Sequence, residues 1–488
     1  MDYQLYIDGK WTNGTGKDEI AVINPATEET FARVPEASAD DVEQAIIAAR
    51  RAFDEGPWGR TTPRERSKVL VGFADILERR MNEFVDLVVA EVGTPLKLAK
   101  GLQVFVPLLM FRDTVDRVLT TFDFSSPLPP TFGAGIGQGV VLREPIGVVS
   151  AISPFNYPFF VNLSKIAPAL AAGCTTVLRP SPFTPLSAIE IARAAEEAGL
   201  PPGVLNVVTG DIEAAKLLTT HPAVDLVTFT GSVPVGAEIM RQAASGIKKV
   251  VLELGGKNAT VLLEDCNLDL AVADAAIGMI RNTGQGCGCI SRILVHESRY
   301  DEAVEGLVAR VAAYKIGSPT DPETDIGPMI RESQRARTER YVGIGKDEGA
   351  RLAYGGGRPE GAEFDKGFWV EPTVFADVKS SMVIAQEEIF GPVGVVIPFS
   401  DDAEAVAIAN DSTLGLNGAV WSADPVRGYK LCTQIKAGRM VLNGAGGAPN
   451  PHAPLGGYKM SGIGREFGEV GMAEFLETKA VSWGVAGG

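Results

Sequence analysis

Short apolar runs rich in β-branched residues alternate with helical patterns from Gly147 onward, and this rhythm constrains the fold more than any other feature. The runs lie at residues 147–152, 175–178, 204–208, 226–230 and 250–254, with helical patterns between them at residues such as 185–198 and 233–244. Strands buried on both faces that alternate with helices are typical of a parallel, doubly wound α/β sheet. Such sheets bind nucleotides at the carboxyl ends of their strands.

A second alternation of strands and helices runs over residues 261–443. Its strands are predicted at residues 293–296, 395–398, 419–422 and 440–443. This pattern predicts a second α/β domain, and we expect a ligand to lie in the cleft between the two domains. The chain length of 488 residues agrees with this division, because single hydrophobic cores stop growing near about 250–300 residues.

The first 140 residues carry little functional information. They predict a short strand pair at residues 3–10 and 20–24, followed by helices at residues 39–53 and 63–92. The glycine-rich run at residues 133–139 looks like a phosphate-binding loop, but it precedes a strand and opens no helix. We therefore interpret it as a hairpin turn.

Charge and cysteine usage limit the partners and the compartment. A net charge of −16 makes nucleic acid and anionic membranes poor partners. The longest uncharged window, residues 145–164, is interrupted by two prolines and an asparagine, which argues against a membrane span. No secretory or address motif is apparent, and the odd number of five cysteines favours reduced thiols, so we expect a cytoplasmic protein.

Cys287 is the first residue with a chemical signature. Glycines at positions 284, 286 and 288 remove neighbouring side chains, so a substrate can approach both the thiol and the backbone N–H. A Cys-x-Cys metal site with Cys289 is the rival interpretation, but zinc needs about four ligands and no second Cys/His pair exists, so we expect no metal. The three histidines are scattered, and a Cys–His hydrolase stays open as an alternative.

Three further stretches could carry chemistry. Glu253 ends a predicted buried strand before two glycines, and the residues alone favour a structural acid and a general base equally. Asn156 lies on the proline-fixed turn after residues 147–152, where it either donates to an oxyanion or satisfies the turn. Gly231 and Ser232 form a strand-to-helix turn that could face a pyrophosphate, although the general pattern is weak.

Together, in this order, these four stretches resemble the aldehyde dehydrogenase superfamily. Further agreement comes from Pro-Pro-Gly-Val-Leu-Asn-Val at 201–207, Gln-Glu-Glu-Ile-Phe-Gly-Pro at 386–392 and the run at 454–466. The resemblance implies two doubly wound α/β domains and a small β oligomerisation element. The NAD(P)-binding, Rossmann-like domain would comprise residues 1–122 and 143–254, the catalytic domain residues 255–458, and the oligomerisation element residues 123–142 and 459–488. Family members are homodimers or homotetramers.

The resemblance also implies roles for individual residues. Cys287, and not Cys289, fits the register of the family nucleophile that attacks the aldehyde, and Asn156 with the Cys287 N–H would hold the oxyanion. Hydride would pass to NAD(P), and Glu253 would activate the water that releases the carboxylic acid, as in the branch that does not acylate coenzyme A. Lys165 matches a lysine near the active-site proton path. The cofactor-binding set is Ser153, Phe155, Arg179, Ser181, Pro182, Gly231, Ser232, Leu254, Glu388 and Phe390. The substrate pocket set is Tyr157, Phe160, Cys289 and Leu455.

Two departures from the family pattern bear on specificity. Arg179-Pro-Ser-Pro182 stands where most relatives have Lys-Pro-Ser-Glu, and the lost glutamate is the group that repels a 2′-phosphate. We expect NAD as the cofactor and keep NADP open. The loop at residues 443–454 carries small side chains where many relatives carry aromatic ones, and it contains no arginine. With Phe155, Tyr157, Phe159 and Phe160 nearby, a bulky apolar or aromatic aldehyde is expected rather than a short dicarboxylate semialdehyde.

Two other functions and one oxidised state of the enzyme stay open at this point. A thiol esterase could use Cys287 and Glu253 without redox chemistry. A retired family member could serve as a structural or binding protein, although the joint retention of Asn156, Glu253, Cys287 and Glu388 argues against it. Oxidation of Cys287 and Cys289 to a disulfide would switch the enzyme off.

Overall fold

Two mainly parallel sheets form the body of the molecule in the computed structural model, which describes residues 3–133, 135–447 and 449–485. The first sheet has eight strands in the spatial order Lys10–Thr12, Leu5–Ile7, Leu205–Val207, Thr175–Arg179, Val148–Ile152, Leu226–Thr230, Lys249–Glu253 and Gly462–Ile463. Its central five strands pair in parallel and its edges pair antiparallel. The predicted doubly wound α/β architecture is confirmed for this sheet.

The second sheet has seven strands. Their spatial order is Arg351–Tyr354, Thr373–Ala376, Val393–Phe399, Ile290–His296, Asn258–Leu262, Asn417–Trp421 and Arg439–Leu442. All neighbours pair in parallel except Arg351–Tyr354, which is an antiparallel edge. The central strands are almost entirely buried, which explains why they read as continuous apolar runs in the sequence.

Helices cover both sheets. Those of the first half are Ala39–Asp54, Pro63–Arg79, Met81–Val92, Pro158–Ala172, Leu186–Glu197, Ile212–Thr220 and Val233–Ala244, with a continuous helical stretch of α and π turns over residues 96–121. Those of the second half are Leu268–Ile280, Tyr300–Ala312, Glu332–Asp347, Val383–Gln386, Asp402–Asn410, Pro425–Gln434 and Gly468–Ala473. Among the described residues, no helix is long and apolar enough to cross a membrane.

A third, smaller sheet consists of Leu476–Val485, Ile136–Pro145, Ser125–Pro127 and Thr131–Phe132. Thr131 pairs with Gly137 and Phe132 with Ile136, so the glycine-rich run forms the predicted hairpin, although Ala134 lies outside the described residues. Gly462–Ile463, which the expected boundaries place with the oligomerisation element, pairs with Lys249–Glu253 of the first sheet. The division into three domains stays a prediction.

The first 92 residues differ from the expectation in two ways. Leu5–Ile7 pairs with Lys10–Thr12 and Leu205–Val207, whereas Glu19–Ile23 pairs with Thr30–Pro35, so the predicted strand pair was wrong. The single helix predicted at residues 63–92 is broken at Arg80 into two helices. Arg80 also bonds the carboxylates of Glu83 and Glu190, which ties this break to the helix Leu186–Glu197.

Glu91 joins two helices through a fully buried carboxyl group. It lies near the end of Met81–Val92 and accepts a hydrogen bond of 3.1 Å from the Leu186 N–H, at the start of the helix Leu186–Glu197. Burial raises the pKa of Glu91 to about 8. The folded chain therefore holds this proton where the unfolded chain, with an ordinary carboxyl pKa, has lost it, and stability falls as the pH rises from about 4.3 towards 8.

We predict that Glu91→Gln keeps the acceptor for Leu186 and removes this pH dependence. The variant should melt about 2–4 °C higher than the parent at pH 8.5 and within about 1 °C of it at pH 5, measured by thermal unfolding. Glu305→Gln on an exposed helix surface is the matched control and should follow the parent at both pH values. Parallel melting curves for parent and Glu91→Gln across this pH range would contradict the prediction.

Candidate active site

The site lies where the carboxyl ends of the first sheet face a loop of the second. The strands Val148–Ile152 and Lys249–Glu253 flank the strand Leu226–Thr230 and both run parallel to it. The turn bearing Asn156 and the side chain of Glu253 therefore reach the same cleft. Facing them is the segment between the helix Leu268–Ile280 and the strand Ile290–His296, which carries Cys287. This is the edge at which a doubly wound sheet binds ligands.

The backbone before Cys287 is left-handed over three residues. Asn282, Thr283 and Gly284 have φ values of 50°, 56° and 69°. A Cβ at Gly284 would overlap the backbone of Gly391, so glycine is required there by close packing and not by substrate access. At Gly288 a Cβ would meet nothing within 4 Å, so this glycine fits the expected role of leaving open space, whereas a Cβ at Gly286 would meet the side chains of Cys289 and Tyr157.

Cys287 lies between two cavities, one of about 230 Å³ and one of about 150 Å³. Its backbone carbonyl accepts a hydrogen bond of 2.7 Å from Asn258 Nδ2, which also donates to the Cys289 carbonyl at 2.8 Å. Burial raises the pKa of the Cys287 thiol, and the carboxyl groups of Glu388 and Glu253 raise it further. The resting thiol is therefore protonated at neutral pH and needs a nearby base.

Asn156 is held by a buried network that the sequence did not reveal. Its side-chain Nδ2 donates to the Gln285 backbone carbonyl at 2.8 Å. The backbone carbonyl of Asn156 accepts from Asn282 Nδ2 at 2.9 Å and from Gln103 Nε2 at 3.3 Å. Thr94 bridges the two donors, because its hydroxyl donates to Asn282 Oδ1 and accepts from Gln103, both at 2.8 Å. The amide next to the thiol is thus fixed by the same loop that carries the thiol.

Glu253 lines the smaller cavity together with Cys287. It is 4% exposed, its Oε1 has no hydrogen-bond partner in the structure, and burial followed by the charge of Glu466 raises its pKa well above the usual range. Glu466 also lines this cavity and pairs with the fully buried Lys165, whose Nζ is 3.1 Å from Glu466 Oε1 and from Thr228 Oγ1. Lys165 is not among the residues that line the cavity, but it contacts Glu466, which does line it. A role for Glu466 was not predicted from the sequence.

The larger cavity contains six of the ten expected cofactor residues. Phe155, Gly231, Ser232, Leu254, Glu388 and Phe390 line it, together with Gln334 and Arg337, which sequence reasoning missed. Ser232 precedes the helix Val233–Ala244 and makes no side-chain capping bond, so the helix N-terminus is open towards the cavity. Glu388 accepts a hydrogen bond of 3.0 Å from the Gly256 N–H, and Arg337 donates to the Glu388 carbonyl at 2.6 Å.

The remaining four expected cofactor residues do not line this cavity. Ser153 bonds Asn162, and Ser181 accepts from the Phe183 N–H. The Arg179 guanidinium is buried and donates to the carbonyls of Gly210 and Asp211 at 2.6 and 2.9 Å. Pro182 is half-buried and lies in the turn that follows Ser181. The structure therefore ties Arg179 to backbone carbonyls, a contact that the sequence could not show.

All four expected substrate residues line the smaller cavity. Tyr157, Phe160, Cys289 and Leu455 meet there with Leu102, Val161, Arg281 and Leu416, which the sequence did not indicate. Phe159, which the sequence placed nearby, instead packs in the core against Phe84 with ring centroids 4.3 Å apart. Ala448 of the loop at residues 443–454 lies outside the described residues, and none of the described residues of this loop lines the cavity.

The described residues contain no group of three or more His, Cys, Asp or Glu side chains that could hold a metal ion. All five cysteines are free thiols, and Cys287 and Cys289 both lie on the smaller cavity. Cys289 Sγ donates to the Arg281 carbonyl at 3.4 Å. The two thiols of the Cys-x-Cys run therefore have different surroundings, because only Cys287 also faces the larger cavity.

Comparison with known proteins agrees with this geometry. The model of the aldehyde dehydrogenase family matches residues 11–481. The chain belongs to the aldehyde dehydrogenase family. It is 39% identical to betaine aldehyde dehydrogenase of Bacillus subtilis, over 99% of this chain and 97% of that protein. It is 43% identical to 3-succinoylsemialdehyde-pyridine dehydrogenase of a Pseudomonas species, over 98% of each.

Solved structures of family members superimpose on the whole chain. A Mycobacterium tuberculosis aldehyde dehydrogenase in complex with NAD+ has a TM-score of 0.95 at 45% identity, covering 98% of both chains. A cysteine-to-alanine mutant of Pseudomonas syringae aldehyde dehydrogenase C, in complex with NAD+ and octanal, has a TM-score of 0.92 at 39% identity, covering 98% of this chain and 96% of that one. The resemblance seen in the sequence is confirmed at the level of family and fold.

The carboxylates around Cys287 give a direct test of the electrostatics. We predict that Glu388→Gln speeds alkylation of Cys287 by iodoacetamide about 2- to 5-fold at pH 8, because removing a negative charge lowers the pKa of the thiol. Labelling should be followed by mass spectrometry of the Cys287 peptide in a Cys289→Ala background.

Glu387→Gln is the matched control, since this neighbouring carboxylate accepts from the Tyr341 hydroxyl and does not line either cavity. An equal acceleration by both substitutions, or none by Glu388→Gln, would contradict the electrostatic account of the Cys287 pKa.

Proposed function

We propose that this protein is an NAD-dependent aldehyde dehydrogenase that oxidises an aldehyde to its carboxylic acid. The observation that carries the proposal is the position of Cys287 at the junction of two cavities, where Asn156 also lines both cavities and Glu253 lines the smaller one. Relatives of the same family crystallise with NAD+, and one of them with NAD+ and octanal together, which supports the assignment of the larger cavity to cofactor and the smaller to aldehyde.

The chain supplies the covalent step through Cys287. After losing its proton, the thiolate adds to the aldehyde carbon, and the carbonyl oxygen becomes the oxyanion of a thiohemiacetal. Asn156 Nδ2, fixed by the Gln285 carbonyl and by the network under the Asn156 backbone, donates to that oxygen together with the Cys287 N–H. NAD, when bound, supplies the acceptor for the hydride that converts the thiohemiacetal into a thioester.

Glu253 serves the second half of the reaction as a general base. It takes a proton from water as the water attacks the thioester, and the carboxylic acid leaves while the Cys287 thiol is restored. The raised pKa of Glu253, caused by burial and then by Glu466, makes this carboxyl a stronger base than a solvent-exposed one. Lys165 holds Glu466 in place and offers a route for the proton through the pair.

The residues of the larger cavity fit a dinucleotide. The uncapped N-terminus of Val233–Ala244 and Ser232 suit a pyrophosphate, because free N–H groups and the helix dipole favour anions. Glu388 and Phe390 suit the nicotinamide end, since both line the cavity next to Cys287. We assign the remaining expected cofactor residues, Ser153, Arg179, Ser181 and Pro182, to the adenosine end by family resemblance.

Cofactor preference follows from the contacts of Arg179. Its Nη2 donates to two backbone carbonyls and so holds the guanidinium in place, and on this ground we predict a preference for NAD over NADP of at least about 10-fold in kcat/KM. Arg179→Met should leave the ratio of the two values unchanged, with Arg179→Lys as the charge-preserving control. A selective loss of activity with NADP in Arg179→Met would show instead that Arg179 binds the 2′-phosphate.

The two thiols provide the decisive test of the reaction. We predict that Cys287→Ala lowers NADH formation, followed at 340 nm, by at least about 10³-fold while nucleotide binding is retained. Cys289→Ala should keep activity within about 10-fold, since Cys289 does not face the cofactor cavity. Ester hydrolysis that needs no nucleotide, without any NADH formation from aldehydes, would favour the thiol esterase, and turnover by Cys287→Ala would exclude the assigned nucleophile.

Substrate, assembly and location complete the proposal. The side chains of Leu102, Tyr157, Phe160, Leu416 and Leu455 support an aldehyde with a bulky apolar or aromatic body. The third sheet exposes Phe132, Ile136 and Trp483, which supports its role in a homodimer or homotetramer. We place the protein in the cytoplasm and divide it into the three domains given by the resemblance.

A further inference from the structure

Apart from the reacting groups, the smaller cavity is lined mainly by apolar side chains, together with Thr230, Glu466 and one guanidinium. Among the described residues that line it, Arg281 carries the one positive charge. Arg281 follows the helix Leu268–Ile280, six positions before Cys287, and its side chain is half-buried. A cation on an apolar wall costs free energy unless an acceptor satisfies it, so its presence needs a partner.

Arg281 has no such partner in the part of the chain that the structure describes. Its guanidinium makes no hydrogen bond or ion pair with any described residue, although its charge acts on the pocket. Burial raises the pKa of Tyr157 and of Cys289, and the nearby Arg281 charge opposes the rise in both cases. Arg281 therefore lies close to two groups of the pocket wall, and the ligands it can reach are ligands of that pocket.

A second guanidinium, on Arg439, has no partner among the described residues and lies close enough to Arg281 for the two charges to interact. Arg439 begins the strand Arg439–Leu442, and its N–H donates to the carbonyl of the pocket residue Leu416 at 3.1 Å. Arg439 is exposed, but partial desolvation of its guanidinium and then the charge of Arg281 lower its pKa, so the two like charges lie near each other and neither is bonded to a described carboxylate. Elsewhere in the chain, Arg427 shows the usual arrangement, since it bonds both Glu264 and Asp402.

We propose that Arg281, supported by Arg439, binds a carboxylate at the far end of the aldehyde. The substrate class is then an aldehyde whose apolar or aromatic body separates the reacting carbonyl from a terminal carboxylate. This inference rests on the proposed aldehyde dehydrogenase function and refines it. The expectation from the sequence rested on the absence of an arginine from the loop at residues 443–454. Arg281 instead lies in the segment before Cys287 and lines the smaller cavity.

A matched pair of aldehydes tests the proposal. We predict that the enzyme oxidises 4-carboxybenzaldehyde with a kcat/KM at least about 10-fold higher than 4-methylbenzaldehyde, because the two differ mainly in the charged group. Arg281→Met should lower kcat/KM for the carboxylate substrate by about 10- to 100-fold, chiefly through KM, and change that of the methyl substrate by less than about 3-fold. Arg281→Lys should retain part of the preference, and Arg439→Met should weaken it by a smaller factor than Arg281→Met.

Arg310→Met on an exposed helix surface is the control for replacing an arginine by methionine and should behave as the parent enzyme. Equal kcat/KM for the two aldehydes in the parent, or an equal loss for both in Arg281→Met, would overturn the carboxylate site. Absence of NADH formation with every aldehyde would overturn the proposed function instead.

A binding measurement keeps the site testable without turnover. 4-(Hydroxymethyl)benzoate, which keeps the distal carboxylate and carries a neutral group in place of the aldehyde, should slow alkylation of Cys287 in the parent protein and in Arg310→Met. The protection should be lost in Arg281→Met. Equal protection in the parent and in Arg281→Met would show that Arg281 does not hold the carboxylate, whether or not the enzyme oxidises these aldehydes.

Discussion

The left-handed backbone at Asn282, Thr283 and Gly284 is the constraint on which the rest of the site depends. It reverses the chain after the helix Leu268–Ile280 and presses Gly284 against the backbone of Gly391. The reversal points Asn282 Nδ2 at the Asn156 carbonyl and leaves the Gln285 carbonyl free to accept from Asn156 Nδ2. Positive φ at a non-glycine residue costs roughly 1–3 kcal/mol, and here the buried hydrogen bonds offset that cost. The nucleophile and its neighbouring amide donor are thereby held as one unit.

The protonation states of the site follow from burial more than from ion pairs. Glu253, Glu388 and Cys287 all have pKa values raised first by burial, and each nearby carboxyl group raises the pKa of the thiol further. Lys165 is the buried counter-charge, but it contacts Glu466 and not Glu253. Glu253 therefore keeps a free oxygen, which is the arrangement that a proton acceptor needs. A direct Lys165–Glu253 pair would lower the pKa of that carboxyl and weaken it as a base.

The sequence predicted the parts of the molecule whose signal is local. Buried β-branched runs predicted the two parallel sheets, and positions at strand ends pointed to Asn156 and Glu253. Thr94, Gln103 and Arg281 gave no comparable signal, because a helical pattern reports burial and not which distant residue a side chain meets. The partner of Leu5–Ile7 was wrong for the same reason, since it includes Leu205–Val207, about two hundred positions away in the chain.

The smaller cavity is lined by groups of both charge signs, and their distribution relates substrate binding to product release. Glu253 and Glu466 raise the pKa of the Cys287 thiol, whereas the charge of Arg281 acts on Tyr157 and Cys289. A substrate with one carboxylate is attracted to Arg281 and repelled from the carboxyl groups, so the field turns its aldehyde towards Cys287. Oxidation creates a second carboxylate beside Glu253 and Glu466, where like charges repel. The same charge distribution that orients the substrate therefore weakens the hold on the product.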